Sequence, residues 1–204
     1  DEVRRRGAVG VGVTISPQQS QSCRERGREV QVLGYRGIGG GGQGRFDAVV
    51  ANGSMEHFVQ PVDALEGRAD AIYAGFFETA HRCLDPHSPS HRLINTTIHF
   101  DRVQIGPQDV IRSPWSFPWF SDKFHCALLV RGFGGFYPVR GQFERCAHPW
   151  FKLIDERDAT YDCYLTSEEW LRHGKRSLLT LGQWARLLPF LVRHPRYAPS
   201  MVFL

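Results

Sequence analysis

Two short polar segments follow predicted strands and carry residue types that bind or transform small molecules. In the first, Asn52-Gly53-Ser54-Met55-Glu56-His57-Phe58, Glu56 and His57 come directly after an apolar run. Charged groups at such a sheet edge are costly unless they are paired or used. Adjacent side chains do not face each other on a helix, so we expect the two residues to have different tasks. The pattern fits a structural ion pair and a catalytic role equally well.

The second segment is the strand-to-helix turn from Thr14 to Gln19. Its hydroxyl and amide groups stand where open α/β sheets bind ligands, at the carboxyl end of a strand. An ordinary helix cap explains the same residues, because Ser16 is a good N-cap and Pro17 suits the first helical position. The local pattern by itself favours the cap.

Other chemical signals are weak. The glycine run at 39–42 precedes a predicted strand and no Lys-Ser/Thr follows it, so it predicts a linker and not a phosphate loop. His87 and His91 have the spacing of a metal pair, but they lie in a loop without a third ligand, and we predict no metal site. The chain has no Gly-x-Ser-x-Gly elbow and matches no nucleic-acid recognition module. Neither that type of hydrolase nor a nucleic-acid partner is expected.

The elements that must position these residues alternate along the chain. Apolar runs predict strands at residues 9–13, 30–33, 46–50, 93–100, 151–155 and 201–204. Capping signals and helical spacing predict helices at residues 17–26 and 63–84, from near Ser167, and at 177–192. This alternation predicts an α/β fold with a doubly wound sheet.

Residues 101–145 interrupt the alternation. Prolines and glycines separate many aromatic side chains there, and the spacing has no clean period. An aromatic-rich irregular insertion in an α/β fold is typical of a lid or pocket wall. The candidate pocket residues are Trp115, Phe117, Phe133, Phe136 and Tyr137.

Together these segments resemble the cyclopropane-fatty-acid synthase family of S-adenosylmethionine-dependent methyltransferases. The similarity spans nearly the whole chain, and the Glu-His-Phe signature at residues 56–58 is its most specific part. The other similar segments are Val13 to Gln19, Tyr35-Arg36, Ala80-His81-Arg82, and Tyr161-Asp162 with Leu165 and Trp170.

The resemblance implies a Rossmann-like class I methyltransferase sheet with an aromatic-rich lid, in a single domain over residues 1–204. Residues 1–100 would form the cofactor-binding half, 101–145 the lid or substrate insertion, and 146–204 the carboxyl-terminal part of the sheet. The implied activity is methyl transfer from the sulfonium of S-adenosylmethionine to a cis double bond in a lipid acyl chain. A carbocation forms in that reaction, and a bound bicarbonate removes a proton as the ring closes.

The same resemblance implies the site residues. Glu56 matches the family's bicarbonate-holding glutamate, and Tyr161 matches its tyrosine. The segment that contacts the methionine or ribose side of the cofactor matches Thr14, Ile15, Ser16 and Gln19. Tyr35 and Arg36 match the adenine edge. The aromatic insertion would wall the dry, π-rich pocket that a carbocation needs.

Departures from the family pattern leave alternatives open. The family's Gly-rich first motif and a cysteine of the bicarbonate site are missing, so we expect a piece of a longer protein that lacks the first βα unit. Thr96 stands at the position of a family histidine, and His99, at an odd spacing, would face the other side of a strand. The family's short Phe-Pro-Gly-Gly segment appears as residues 131–138. The alternatives are a non-catalytic lipid-binding or interaction protein, or a methyltransferase for small molecules.

Composition and charge indicate the class of protein, its compartment and the kind of partner. Of the 204 residues, 42% are hydrophobic and 23% charged, as in ordinary globular domains, and Pro189 interrupts the longest apolar run. The five cysteines include no CxxC pair, which favours reduced thiols and a cytoplasmic location. From Trp170 onward the chain has basic residues but no Asp or Glu. This predicts an acidic partner, such as a membrane surface contacted peripherally, unless it is only a solvated helix face.

Overall fold

The computed structural model describes residues 5–38, 45–101, 105–119, 121–178 and 180–195. The side chains of Phe133, Leu178 and Leu181 are outside this description. The fold is mixed α/β, and about half of the chain is helical. The chain divides into two compact units, Asp1–Lys152 and Leu153–Leu204.

Two small parallel sheets form part of the first unit. The strands are β1 (Val11–Thr14), β2 (Glu29–Val32), β3 (Ala48–Asn52) and β4 (Arg92–Thr96). β1 pairs with β2, and β3 pairs with β4, with Asn52 opposite Thr96. Because each pair is parallel, the turns that leave its two strands meet at one edge, where α/β folds place ligands. The expected α/β class with parallel pairing is confirmed at this level.

The helices of the first unit surround these ladders. They are α1 (Pro17–Glu25), α2 (Pro61–Leu65), α3 (Ala69–Cys83), α4 (Pro107–Ile111), α5 (Asp122–Phe133) and α6 (Gln142–Ala147), with 3₁₀ turns at Tyr35–Gly37, Met55–His57 and Pro114–Ser116. α1 begins as predicted, because the Ser16 hydroxyl accepts a hydrogen bond from the Gln19 amide. It ends before Gly27, whose φ of +66° suits glycine.

The single long helix predicted at 63–84 is wrong. Gly67 adopts a φ of +72°, which stops helical winding, and the chain forms α2 before it and α3 after it. Asp63 accepts from the Gln60 amide at 2.9 Å and from the Arg68 guanidinium at 2.5 Å. These bonds hold the corner between the two helices.

The hydrophobic core of the first unit lies along α3. Most of its largest fully buried side chains come from α3, from the segment after β3, and from α5. Burial of these apolar side chains is the main favourable term in the packing of the unit. The core includes Met55, Val59, Tyr73, Phe76, Phe77, Ala127, Val130 and Phe136.

Residues 101–145 are largely helical where they are described, contrary to the irregular lid that was expected. Phe124, Ala127 and Val130 recur at helical spacing on the buried face of α5. Leu129 is exposed on the same helix, and apolar residues on both faces obscure the period. Tertiary packing therefore stabilises α5, a helix that the amphipathic pattern of the sequence did not indicate.

The structure also differs from the sequence prediction at two strands. β4 stops at Thr96, and Phe100 forms only an isolated bridge with Val139. The strand predicted at 151–155 does not form, because a strand needs a neighbour to complete its ladder and none pairs with these residues in the described chain. The strand predicted at 201–204 lies outside the described residues.

The second unit is helical where it is described. It contains α7 (Thr160–Leu178) and α8 (Leu181–Arg193). The predicted start of α7 is near Ser167, but the helix begins at Thr160. The Asp158 carboxylate accepts from the Thr160 amide at 2.8 Å at this start. Among the described helices, none has the length and hydropathy needed to cross a bilayer.

Candidate functional site

Glu56 lies at the carboxyl end of β3, in the 3₁₀ turn Met55–His57, and is only 5% exposed. Its Oε1 accepts a hydrogen bond from the Ile98 amide at 3.1 Å, just beyond the end of β4. Its Oε2 is buried and has no hydrogen-bond partner among the described residues. A buried carboxyl oxygen without a partner is costly, which makes Glu56 a candidate functional residue.

The loop after α5 packs directly on this turn. A Cβ at Gly135 would overlap the Glu56 carbonyl oxygen, and Gly135 has a φ of +78°. The His57 ring nitrogen Nδ1 lies 3.3 Å from the Gly134 carbonyl oxygen, and the Phe136 amide donates to the Val59 carbonyl at 2.6 Å. Two glycines thus allow a distant loop to close over the glutamate.

Two buried tyrosines lie within electrostatic reach of Glu56. Burial raises the pKa of the Tyr73 hydroxyl well above its usual range, and the negative charge of Glu56 raises it further. The pKa of Tyr137 is raised for the same two reasons. The Tyr73 hydroxyl donates to the Phe136 carbonyl at 3.4 Å, and the Tyr137 ring lies 5.5 Å from that of Phe100. The surroundings of Glu56 are therefore aromatic and their hydroxyls stay protonated.

Thr96, which the resemblance places at a histidine position, lies at the same edge. Its hydroxyl donates to the Asn52 side-chain oxygen on the adjacent strand. His99 lies beyond the end of β4 and is exposed. β4 has ended before His99, so strand alternation does not decide which way His99 faces.

The turn from Thr14 to Gln19 forms a closed hydrogen-bond network. The Thr14 hydroxyl accepts from the Ser16 amide at 3.1 Å and donates to Gln19 Oε1 at 2.7 Å. The Ser16 hydroxyl caps α1, as the local pattern favoured. Ile15 projects away from this network and is 80% exposed. The turn presents an apolar side chain at the carboxyl edge of β1 and β2.

Tyr35 and Arg36 follow β2 at the same edge, but Tyr35 turns into the core. Its ring stacks on Phe58 at 4.8 Å between centroids, and its hydroxyl donates to the Ile72 carbonyl at 3.3 Å. Arg36 lies over the outer part of the Tyr35 ring, at 5.6 Å from the centroid. The stack brings the end of β2, and so the candidate cofactor turns, beside the Glu-His-Phe segment.

The predicted pocket residues separate into two groups. Phe136 and Tyr137 are buried near Glu56, and Phe117 is half-buried against the core. Trp115 is half-exposed and contacts Trp119 and Phe124. The side chain of Phe133 lies outside the description.

Tyr161 belongs to the second unit, whereas the residues described above belong to the first. It lies in the first turn of α7, is exposed, and stacks on Tyr164 at 6.1 Å between centroids. Its pairing with Glu56 in one site remains what the resemblance implies.

Sequence reasoning missed three contributors to the Glu56 surroundings: the Ile98 amide, Tyr73 and Gly135. Main-chain donors and a core tyrosine leave no motif in a sequence. The adjacent glycines 134 and 135 were the one available signal, because paired glycines often mark a close backbone approach.

Comparison with known proteins adds no assignment to this geometry. In the described part of the chain, His, Cys, Asp and Glu form no group of three that could hold a metal ion. No family model matches the chain, and no curated protein or solved structure is significantly similar to it.

Proposed function

We propose that this chain is an S-adenosylmethionine-dependent methyltransferase that acts on the double bond of a lipid acyl chain. The observation that carries the proposal is the buried carboxyl of Glu56. One of its oxygens is held by the Ile98 amide, and the other is left without a partner at the carboxyl edge of a parallel strand pair. Such an oxygen is ready to accept a hydrogen bond from a small bound acid such as bicarbonate.

The arrangement of the two ladders supports a Rossmann-like architecture. In the common doubly wound order, the second strand pairs with the third and the fourth with the fifth, on either side of the first. The pairs β1–β2 and β3–β4 are parallel in this way and form two separate sheets. The Tyr35–Phe58 stack joins their carboxyl ends. Both candidate segments therefore stand at the edge where such folds bind ligands.

The residues at the ends of β1 and β2 fit the implied cofactor in position and chemistry. Ile15 offers an exposed apolar surface, and Arg36 offers a polar group nearby. When bound, S-adenosylmethionine would supply an electrophilic methyl group on a sulfonium. Ile15 would contact the methionine or ribose side of the cofactor and Arg36 its adenine edge, while Ser16 keeps α1 capped.

The aromatic surroundings of Glu56 suit chemistry that develops positive charge. Ring faces attract cations, and a site from which water is excluded protects a carbocation from hydration. Tyr73, Phe136 and Tyr137 are each at least nine-tenths buried. These rings would exclude water while Glu56 orients a proton acceptor.

The test has a binding arm and a turnover arm. Calorimetric titration with S-adenosylhomocysteine measures binding to the folded chain. Incubation with S-adenosylmethionine and vesicles of cis-unsaturated phospholipid, followed by mass spectrometry of the acyl chains, measures product. We expect Glu56→Gln to lower turnover at least about a hundredfold, because the proton acceptor loses the carboxylate that orients it, and to leave cofactor binding unchanged.

Glu78→Gln is the matched control, because Glu78 is an exposed carboxylate on α3. Its turnover should equal that of the wild type. Cofactor binding without a lipid product, or methylation of small phenols instead, would refute the proposed acceptor. Absence of binding by a well-folded chain would refute the proposal that this chain holds the cofactor by itself and would favour an interaction protein.

A further inference from the structure

Several large apolar side chains of α8 are exposed. Leu187 and Leu191 are half-buried, and Leu187 lines a cleft with Ser177 of α7. Trp184, Leu188 and Val192 are instead 38%, 52% and 80% exposed. A large exposed apolar patch usually marks an interaction site.

These three side chains lie on one side of the helix. Their spacing of four residues places them in a row, the α8 stripe, along the length of the helix. Gln183, Arg186 and Arg193 project from the opposite side. The aromatic and aliphatic groups of the stripe thus lie on one side of α8, and the cationic groups lie on the other side together with Phe190.

The charge of this region has one sign. The charged residues of α8 are Arg186 and Arg193, and the last turn of α7 adds Lys175 and Arg176. An amphipathic helix with Trp and Leu on one side and Arg on the other is the pattern that lies in the interface of an anionic bilayer. A second copy of the chain would bring like charges together, which opposes self-association.

We infer that the α8 stripe docks on an anionic lipid surface, with Trp184, Leu188 and Val192 inserted among the acyl chains and the arginines near the phosphates. No residue of the first unit enters this inference, so it stands or fails separately from methyl transfer. Docking would also bring an enzyme that acts on acyl chains to its substrate, which lies below the headgroup layer.

The test uses the full chain and vesicles of phosphatidylcholine with or without phosphatidylglycerol. Co-sedimentation should give a partition coefficient at least about tenfold higher for the anionic vesicles at low salt, and the difference should shrink as salt screens the charges.

Two variants with the same change in charge separate insertion from simple electrostatics. Leu188→Glu places a carboxylate in the stripe and should lower the partition coefficient at least about tenfold. Gln183→Glu adds the same charge on the opposite side and should lower it by no more than about threefold. Circular dichroism confirms that both variants remain folded.

Equal losses in the two variants, or no loss in either, would overturn the inference. So would a wild-type chain that ignores vesicles and forms dimers that Leu188→Glu abolishes, because the stripe would then face a second copy. Glu56→Gln should bind vesicles like the wild type, so loss of turnover and loss of membrane binding are read independently.

Discussion

The Tyr35 ring stacks on the Phe58 ring with their centroids 4.8 Å apart, and this contact joins the segments that follow two separate sheets. Phe76 of α3 completes the cluster, at 5.3 Å from Phe58 and 5.7 Å from Tyr35. Both candidate segments, the Tyr35-Arg36 pair and the Glu-His-Phe turn, thus contribute a ring to one aromatic cluster.

Shortening Phe58 should therefore weaken the first unit. We expect Phe58→Ala to lower the free energy of unfolding by about 3 kcal/mol, because it removes the ring and leaves a cavity. Phe58→Leu keeps most of the apolar volume and should cost about 1 kcal/mol, the value of the lost ring pairing. Denaturant unfolding of both variants measures the difference, and equal losses would contradict a role for the stack.

Gly135 should tolerate no side chain. Gly135→Ala combines a positive φ with overlap of the Glu56 main chain, and we expect a loss of more than about 3 kcal/mol. Gly134 also has a positive φ, +77°, but its Cβ would meet open space, so Gly134→Ala should cost only about 1–3 kcal/mol.

Gly132 is the control for this pair, since it lies within α5 and has open space beside it. Gly132→Ala should raise stability by about 0.5–1 kcal/mol, because alanine loses less backbone entropy in a helix. Thermal unfolding ranks the three variants. A Gly135→Ala protein as stable as Gly134→Ala would disprove the close approach to Glu56.

Glu56 variants should separate structure from chemistry. Glu56→Gln retains an oxygen that accepts from the Ile98 amide, so the unfolding free energy should stay within about 1 kcal/mol of the wild type. Glu56→Ala leaves the part-buried Ile98 amide without its acceptor and should cost about 1–3 kcal/mol. Equal stability of the two variants would show that the Ile98 bond adds nothing.

Ile15 and Ser16 should respond in opposite ways. Ser16→Ala removes the cap of α1 and should lower stability by about 1 kcal/mol. Ile15→Ser alters an exposed side chain and should change stability by no more than about 0.5 kcal/mol. If the turn holds the cofactor, Ile15→Ser weakens S-adenosylhomocysteine binding more than Ser16→Ala does, and calorimetry decides between them.

Asp70 should make the packing of α6 on α3 sensitive to acid. A hydrogen bond from Gln142 at 2.7 Å, aided by Arg145, holds the pKa of Asp70 below its ordinary value of 3.8. The stabilisation is thus complete above pH 3.8 and is lost as the pH falls through the lower folded value. Unfolding measured between neutral pH and that range should show a shallower acid loss for Asp70→Asn, and for Gln142→Ala, than for the wild type. Parallel curves would rule this linkage out.

Local chemistry made part of the fold predictable. Ser16 and Pro17 determine where α1 begins, because a cap and a fixed φ act within one turn. The apolar run before Asn52 likewise predicts β3, and the end of that run puts Glu56 at the edge of a sheet. The single helix predicted over residues 63–84 is interrupted at Gly67. The helical spacing of apolar residues continues through this corner, but the helical backbone ends there.

The sequence by itself determined the α/β class, the cap of α1 and the candidate residues at the ends of strands, because these depend on residues within a few positions of one another. Tertiary structure alone decided that Gly135 closes on Glu56, that Ile98 holds one of its oxygens, and that Tyr35 faces Phe58. These contacts join residues far apart in the chain. Their formation depends on which surfaces bury the most apolar area together, and no local pattern encodes that choice.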